Sequence, residues 1–104
     1  MSQFQVYRNL DRSSQRRFPF LLDVQSDLLE SLATRVVVPL GEADAARPPV
    51  ARLMPVFEVD GRPVVMRTSE IAGIARNVVG EHVTSLADRR YEIVAALDVL
   101  VSGV

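Results

Sequence analysis

"MPVFEVDGRPVVMRT", residues 54–68, carries the clearest local signal in the chain and decides how the rest of it is interpreted. Two apolar runs flank Asp60 and Gly61, residue types that tolerate the positive φ angles of a tight turn between antiparallel strands. The stretch therefore predicts a β-hairpin. Because Pro63 has no amide donor, we expect its strand to lie at a sheet edge or to begin after that residue.

Other short runs predict further strands before this hairpin. Alternation of apolar and polar residues from Phe4 indicates a half-buried strand that ends near Arg8. Residues 18–25 and 34–40 are β-branched or aromatic runs of strand length. The three consecutive valines at 36–38 favour a strand buried on both faces, either central in the sheet or at a subunit contact.

The segments that follow are less regular until the end of the chain. Residues 41–52 contain a glycine, two consecutive prolines and scattered charges, and are predicted to form a loop. Residues 70–79 are ambiguous between helix and strand because Gly73 weakens either interpretation, and we favour a strand near 71–79. Ser85 is the expected N-cap of a terminal amphipathic helix of about four turns over residues 86–101. Its core stripe is expected to consist of Leu86, Ile93, Leu97 and Leu100.

Composition limits the classes of function. A chain of 104 residues is expected to form one domain over 1–104, with 48% apolar and 24% charged residues as in an ordinary folded protein. A net charge of −1 gives no positive field for nucleic acid, and the absence of cysteine excludes disulfides and thiolate metal sites. No signal peptide or membrane span is evident, so a cytoplasmic location is expected.

No constellation of residues predicts catalysis. His82 is the only histidine and lacks a second ligand, so we expect neither a metal site nor a general base there. Asp23 and Asp27 are more typical of turn and cap groups than of a catalytic carboxylate pair. The arginines at 12, 16 and 17 are expected to be a solvated loop cluster, with contact to an acidic partner as the less favoured alternative.

Taken in order, these stretches resemble the CcdB toxins of bacterial toxin–antitoxin pairs. "QFQVYRN" is similar to the opening strand of that family, and "LLDVQSDLLE" is similar to its most recognisable segment. "RVVVPL", "LMPVFEVDG", the Met66-Arg67-Thr68 step, "VVGEHVTSL" and the final helix follow in register. Each fragment is weak alone, whereas their collinearity over about 100 residues is a specific signal.

The resemblance implies a mostly β fold, an SH3-like barrel of antiparallel strands with a C-terminal helix. It also implies a homodimer without cofactors, a CcdA-like antitoxin as partner, and binding to the A subunit of DNA gyrase that traps the cleaved DNA complex. Direct binding of nucleic acid is not expected. The positions that correspond to gyrase-binding residues of the family are Leu28, Leu29, Asp98, Val101, Ser102, Gly103 and Val104.

One departure affects the residue that dominates gyrase binding in the family. The family typically ends Trp-Gly-Ile, and Ser102 stands here in place of the tryptophan. Val101 and Asp98 likewise replace a phenylalanine and an asparagine. Two alternatives to gyrase poisoning therefore stay open. One is a homologue of impaired toxicity that mainly binds its antitoxin; the other is an endoribonuclease, as in the MazF and Kid toxins of the same fold, with His82 and Arg62 or Arg67 as nominal candidates.

Overall fold

In the computed structural model, which describes residues 1–44, 46 and 48–103, the fold consists of seven strands and one α-helix. The strands are β1 (Gln5–Asn9), β2 (Phe20–Asp23), β3 (Thr34–Glu42), β4 (Val56–Val59), β5 (Arg62–Met66), β6 (Ala72–Ala75) and β7 (Val79–Ser85). The helix, α1, comprises Arg90–Ser102. Four short 3₁₀ helices lie between these elements within the described ranges.

All strand pairs are antiparallel, and the main sheet has the order β4-β5-β3-β2-β1-β7. Strand β3 organises it, because its first half pairs with β6 and its last three residues pair with β5. Pro39 lies between these two ladders, so no strand there needs its missing amide donor. The result is an antiparallel β half-barrel followed by a C-terminal helix, which confirms the predicted fold class.

The hairpin predicted from Asp60 and Gly61 is present. Val59 pairs with Arg62, and the two turn residues have φ angles of 55° and 75°. Strand β5 begins one residue before Pro63, but its ladder with β3 begins only at Val64. The proline therefore lies outside that ladder, but the prediction for its strand was wrong, because β5 lies between β4 and β3 and begins before Pro63.

One face of the sheet packs against α1 and forms the core. Val37 and Val38 point to opposite faces and are both buried, which confirms the two-sided burial predicted for the valine run. Of the two, only Val38 belongs to the main hydrophobic cluster. Its buried members are Phe4, Val6, Phe20, Leu22, Val24, Val38, Leu40, Phe57, Val59, Val64, Met66, Leu86, Ile93 and Ala96.

Phe4 joins three parts of the structure in an unusual backbone conformation. Its φ angle of 66° lies in the left-handed region, which bulky residues seldom adopt. Its amide donates to the Asp23 carbonyl at 2.6 Å, and its carbonyl accepts from the Leu86 amide at 2.8 Å. The ring is buried, and the Arg90 guanidinium lies 5.9 Å from its centroid. The left-handed residue thus ties the end of β2 to the approach to α1.

Two arginines lie against the buried ring of Phe20, and one of them, Arg8, links the two ends of the half-barrel. The guanidinium groups of Arg8 and Arg62 lie 5.6 and 5.2 Å from the centroid of Phe20. Arg8 also pairs with Glu81 on β7 at 2.9 Å and with Asp60 in the β4–β5 turn at 3.6 Å. Because β4 and β7 are the two ends of the strand order, this exposed cluster links distant parts of one sheet.

The start of the terminal helix differs from the prediction. Residues 87–89 form a 3₁₀ helix, and α1 begins at Arg90 rather than at residue 86. Ser85 is the last residue of β7, and its hydroxyl accepts from the amide of Ala87, the first residue of the 3₁₀ helix, at 3.2 Å. It does not cap α1, whose N-cap is Arg89. The core stripe was also predicted too long, because Leu100 is 38% exposed.

Other boundaries shift for local reasons. The strand predicted over 71–79 is only the four-residue β6, because a 3₁₀ helix over residues 76–78 interrupts it. Strand β7 was not predicted at all. Strand β3 continues to Glu42, two residues into the segment predicted as a loop, while Ala45 and Arg47 of that segment lie outside the described residues.

Within the described part of the chain, no helix has the length and apolar character needed to cross a bilayer.

The turn of the hairpin provides a test of the fold. Gly61 has a φ of 75° and open space at its Cβ position, so Gly61→Ala introduces backbone strain without a clash. We expect it to lower the free energy of unfolding by about 1–2 kcal/mol, measured by urea denaturation. Gly73→Ala is the matched control, since that glycine has no positive φ and a methyl group would only approach the Thr34 hydroxyl at 4.0 Å. Equal losses in the two variants would contradict the assigned turn.

Candidate functional site

The first predicted binding segment is a single 3₁₀ turn, Asp27–Leu29, after β2. The Ser26 hydroxyl caps it by accepting from the Leu28 amide at 3.2 Å. None of the residues of the turn is buried, and Leu28 and Leu29 are 92% and 49% exposed. The Ser26 hydroxyl therefore caps the turn, whereas the Asp27 carboxylate accepts from the Gln3 amide at 2.8 Å. Both leucines face solvent.

Beneath this turn lies a buried ion pair between neighbouring strands. Arg35 on β3 and Asp23 at the end of β2 are each fully buried. The Nε and Nη2 atoms of the guanidinium donate to one carboxylate oxygen, Oδ2, at 3.0 and 2.5 Å. Burial raises the pKa of the Asp23 carboxyl above its usual range, while hydrogen bonds from Arg35 and from the Gln25 amide act in the opposite direction.

Gln25 connects this ion pair to the turn. Its backbone amide donates to the second carboxylate oxygen of Asp23 at 2.9 Å. Its side-chain oxygen accepts from the Val36 amide at 3.0 Å, and its side-chain nitrogen donates to the Leu29 carbonyl at 2.9 Å. One buried side chain thus bonds both to β3 and to the last residue of the exposed turn.

The second predicted segment is the end of α1. Val101 is 86% exposed, and Ser102 and Gly103 are exposed as well. The Ser102 hydroxyl donates to the Asp98 carbonyl at 2.7 Å, one turn back along the helix. Val104 lies outside the described residues.

Gly103 has a structural role that the sequence analysis overlooked. Its φ of 78° is left-handed, and its amide donates to the Val99 carbonyl at 2.9 Å. This is the common way in which a glycine ends a helix and satisfies one of its last carbonyls. The glycine shared with the family therefore has a local explanation besides binding.

The two segments are positioned by different elements. Leu28 and Leu29 follow β2, whereas Asp98, Val101 and Ser102 lie on α1. Among the described residues, no hydrogen bond or ion pair joins one segment to the other. The structure therefore presents these residues as two separate exposed groups.

The nominal ribonuclease candidates have other partners. The Nε2 atom of His82 lies 2.7 Å from the side-chain oxygen of Gln5, on the exposed face of β7. Arg62 pairs with Glu42 at 2.8 Å, and Arg67 points its Nη1 atom at the sulfur of Met54 at 4.0 Å. Each of the three side chains therefore contacts a different neighbouring residue.

A small apolar pocket lies away from both segments. It has a volume of about 200 Å³ and is lined mainly by residues of β2, β3 and β6 and by the loop before β2, including Leu21, Val37, Pro39 and Ile74. Sites for small-molecule ligands usually have volumes of about 300–1,000 Å³. Within the described ranges, no three metal-ligating side chains come together either.

The sequence matches the family model described as CcdB protein over residues 3–103. The chain belongs to the CcdB protein family. This match confirms the resemblance stated above. The protein is therefore a CcdB-family toxin of a toxin–antitoxin system, and toxins of this family have a cognate antitoxin.

Comparison with solved structures supports the fold of this CcdB-family protein. It is similar to an endoribonuclease from a mycobacterial species that was solved in complex with its cognate antitoxin, with a TM-score of 0.74. The match covers 97% of this chain and 94% of that chain, at 16% sequence identity. At so low an identity the likeness concerns the fold alone.

The roles of Arg35 and Gln25 were not predicted from the sequence. A charged residue before three valines in a strand predicted to be buried was the available signal, because a buried arginine needs a nearby carboxylate. Asp23, at the end of the preceding strand, was the natural partner. Gln25 offered no comparable signal, since its role depends on the turn conformation.

The ion pair of this CcdB-family protein can be tested by its removal in one or two steps. Arg35→Met leaves the Asp23 carboxylate buried without a cation, and we expect it to lower the free energy of unfolding by about 3–5 kcal/mol. The double variant Asp23→Leu/Arg35→Met removes both charges and should recover most of that loss, because no buried charge is left unpaired. Urea denaturation measures both values, and additive losses in the double variant would contradict the assigned pairing.

Proposed function

We propose that this toxin binds the A subunit of DNA gyrase through the end of α1 and the turn that carries Leu28 and Leu29, and traps the cleaved DNA complex. The supporting observation is the exposure of large apolar side chains in both segments, with Leu28 at 92% and Val101 at 86%. Neither side chain contributes to the core. Exposed apolar side chains that lie next to one another, as Leu28 and Leu29 do, are typical of docking surfaces, whereas single ones are not.

In this proposal the protein acts without chemistry of its own. The buried Asp23 carboxylate is paired with Arg35, and the His82 ring nitrogen Nε2 is bonded to Gln5. To cleave RNA, one of these groups would have to reach and abstract a proton of the substrate. Docking requires none of these groups to react, which is why it is preferred to RNA cleavage.

The proposal includes assembly as a homodimer and a CcdA-like antitoxin as a partner. Family membership supports both. Further exposed apolar residues on α1, Tyr91 at 83% and Val94 at 41%, provide surface for such contacts.

A second candidate is a homologue with weakened action on gyrase that mainly binds its antitoxin. The observation in its favour is the Ser102 hydroxyl, which bonds back to the Asp98 carbonyl and offers no ring to a partner. A tryptophan there could bury about 200 Å², an upper bound of about 5 kcal/mol at about 25 cal/mol/Å². Losing half of that contribution would weaken binding roughly a hundredfold.

Trapping of cleaved DNA by purified gyrase tests the proposal. The intact protein is expected to accumulate the cleavage complex, and deletion of Ser102, Gly103 and Val104 is expected to abolish it. Ser102→Trp should lower the concentration needed by about a hundredfold, because the indole adds buried contact area. Ser13→Trp, an exposed serine in the loop before β2, is the control for a surface tryptophan and should leave trapping unchanged.

Other outcomes identify the alternatives. An inert parent that becomes a poison only as Ser102→Trp supports the weakened homologue. Cleavage of bare RNA by the purified protein, lost on His82→Ala, supports the endoribonuclease. A deletion variant that traps the complex as well as the parent does would contradict docking through the end of α1.

A further inference from the structure

We propose that Gln25 and the buried Asp23–Arg35 pair are positioning residues that hold the Leu28–Leu29 turn in the shape that docks. This inference rests on the proposed binding to gyrase. None of the three side chains could touch a partner, because Gln25 is 5% exposed and the ion pair is fully buried. Their effect on binding would be carried entirely by the turn above them.

The turn needs such support because it has no apolar anchor. It buries none of its three residues, and Leu28 is almost fully exposed. Ordering a backbone segment carries an entropic cost that burial normally offsets. Since burial contributes little here, polar contacts have to determine the shape of the turn.

Both ends of the turn are held by such contacts. At its start, the Ser26 hydroxyl accepts from the Leu28 amide, and the Asp27 carboxylate accepts from the Gln3 amide at 2.8 Å. At its end, the Gln25 side chain donates to the Leu29 carbonyl at 2.9 Å. Of these three contacts, only the one from Gln25 involves a buried side chain. Buried Arg35 also lies 3.8 Å from the Asp27 carboxylate, so Gln25 and Arg35 together provide the rigid reference.

The ion pair in turn fixes Gln25. The Asp23 carboxylate accepts from the Gln25 amide at 2.9 Å, and Arg35 approaches the Gln25 carbonyl at 3.4 Å. The remaining guanidinium nitrogen, Nη1, is buried with no acceptor among the described residues. A buried ion pair with an unused donor is a poor source of stability compared with a packed apolar pair. Its contribution is therefore better explained by the geometry that it imposes.

A turn that already has its bound shape loses less freedom when a partner binds. We expect Gln25→Ala to weaken binding to an immobilised fragment of the gyrase A subunit about tenfold. Gln25→Met keeps the volume of the side chain but removes both polar atoms of its amide group, and it should weaken binding by about the same factor. Gln5→Ala is the matched control: it also removes two side-chain hydrogen bonds, to Ser85 and His82, but on the β1–β7 surface.

A double-mutant cycle separates positioning from general destabilisation. If Gln25 acts through the two leucines, the tenfold effect of Gln25→Ala should vanish in a Leu28→Ala/Leu29→Ala background. A purely structural role would weaken binding by the same factor in both backgrounds. That result, or a Gln25 variant that binds as well as the parent, would overturn the inference.

Hydrogen exchange of the free protein tests the turn without a partner. The Leu29 and Glu30 amides donate to the Ser26 and Asp27 carbonyls within or beside an exposed turn. We expect both amides to be protected in the parent and to exchange at least tenfold faster in Gln25→Met. If the parent protein does not bind gyrase, the proposed function is wrong. The rigidity of the turn is decided separately by hydrogen exchange, which needs no partner. Unprotected amides in the parent would overturn the positioning role whatever the partner.

Discussion

The ion pair between Asp23 and Arg35 is the constraint on which the exposed part of the structure depends. It lies where the end of β2, the start of β3 and the segment leading to the 3₁₀ turn meet. Neither charge reaches solvent, so each needs the other to remain ionised at a tolerable free energy. Because the carboxylate also accepts from the Gln25 amide, the pairing of two strands and the path of the following segment are set together.

In the proposed function, folding and docking use different apolar residues. The core is filled by the inner face of the half-barrel and by Ile93 and Ala96 of α1. The aliphatic residues assigned to docking lie outside it, as Leu28 and Val101 show. If the proposed docking is right, substitutions at Leu28 or Val101 should change partner affinity with little effect on stability, whereas Gly103 also ends the helix and is not free to change.

The features that could be predicted from sequence were those set by local chemistry. Asp60 and Gly61 require a turn whatever surrounds them, and three consecutive valines require burial on two faces. The features that were missed depend on distant partners. Strand β7 is polar along much of its length and becomes a strand only because β1 pairs with it. The start of α1 was misplaced because Ser85 is held in that ladder, and the role of Arg35 required knowing that Asp23 lies beside it.

Phe4 illustrates a site where two requirements oppose each other. Its backbone conformation is one that glycine adopts most easily, yet its ring fills part of the core beneath Arg90. Glycine would relieve the backbone strain but leave a cavity where the ring packs. Any other large residue would fill that space and keep the strain. Phe4 thus keeps a strained backbone because its ring fills the core, and a small residue there would exchange that strain for a cavity.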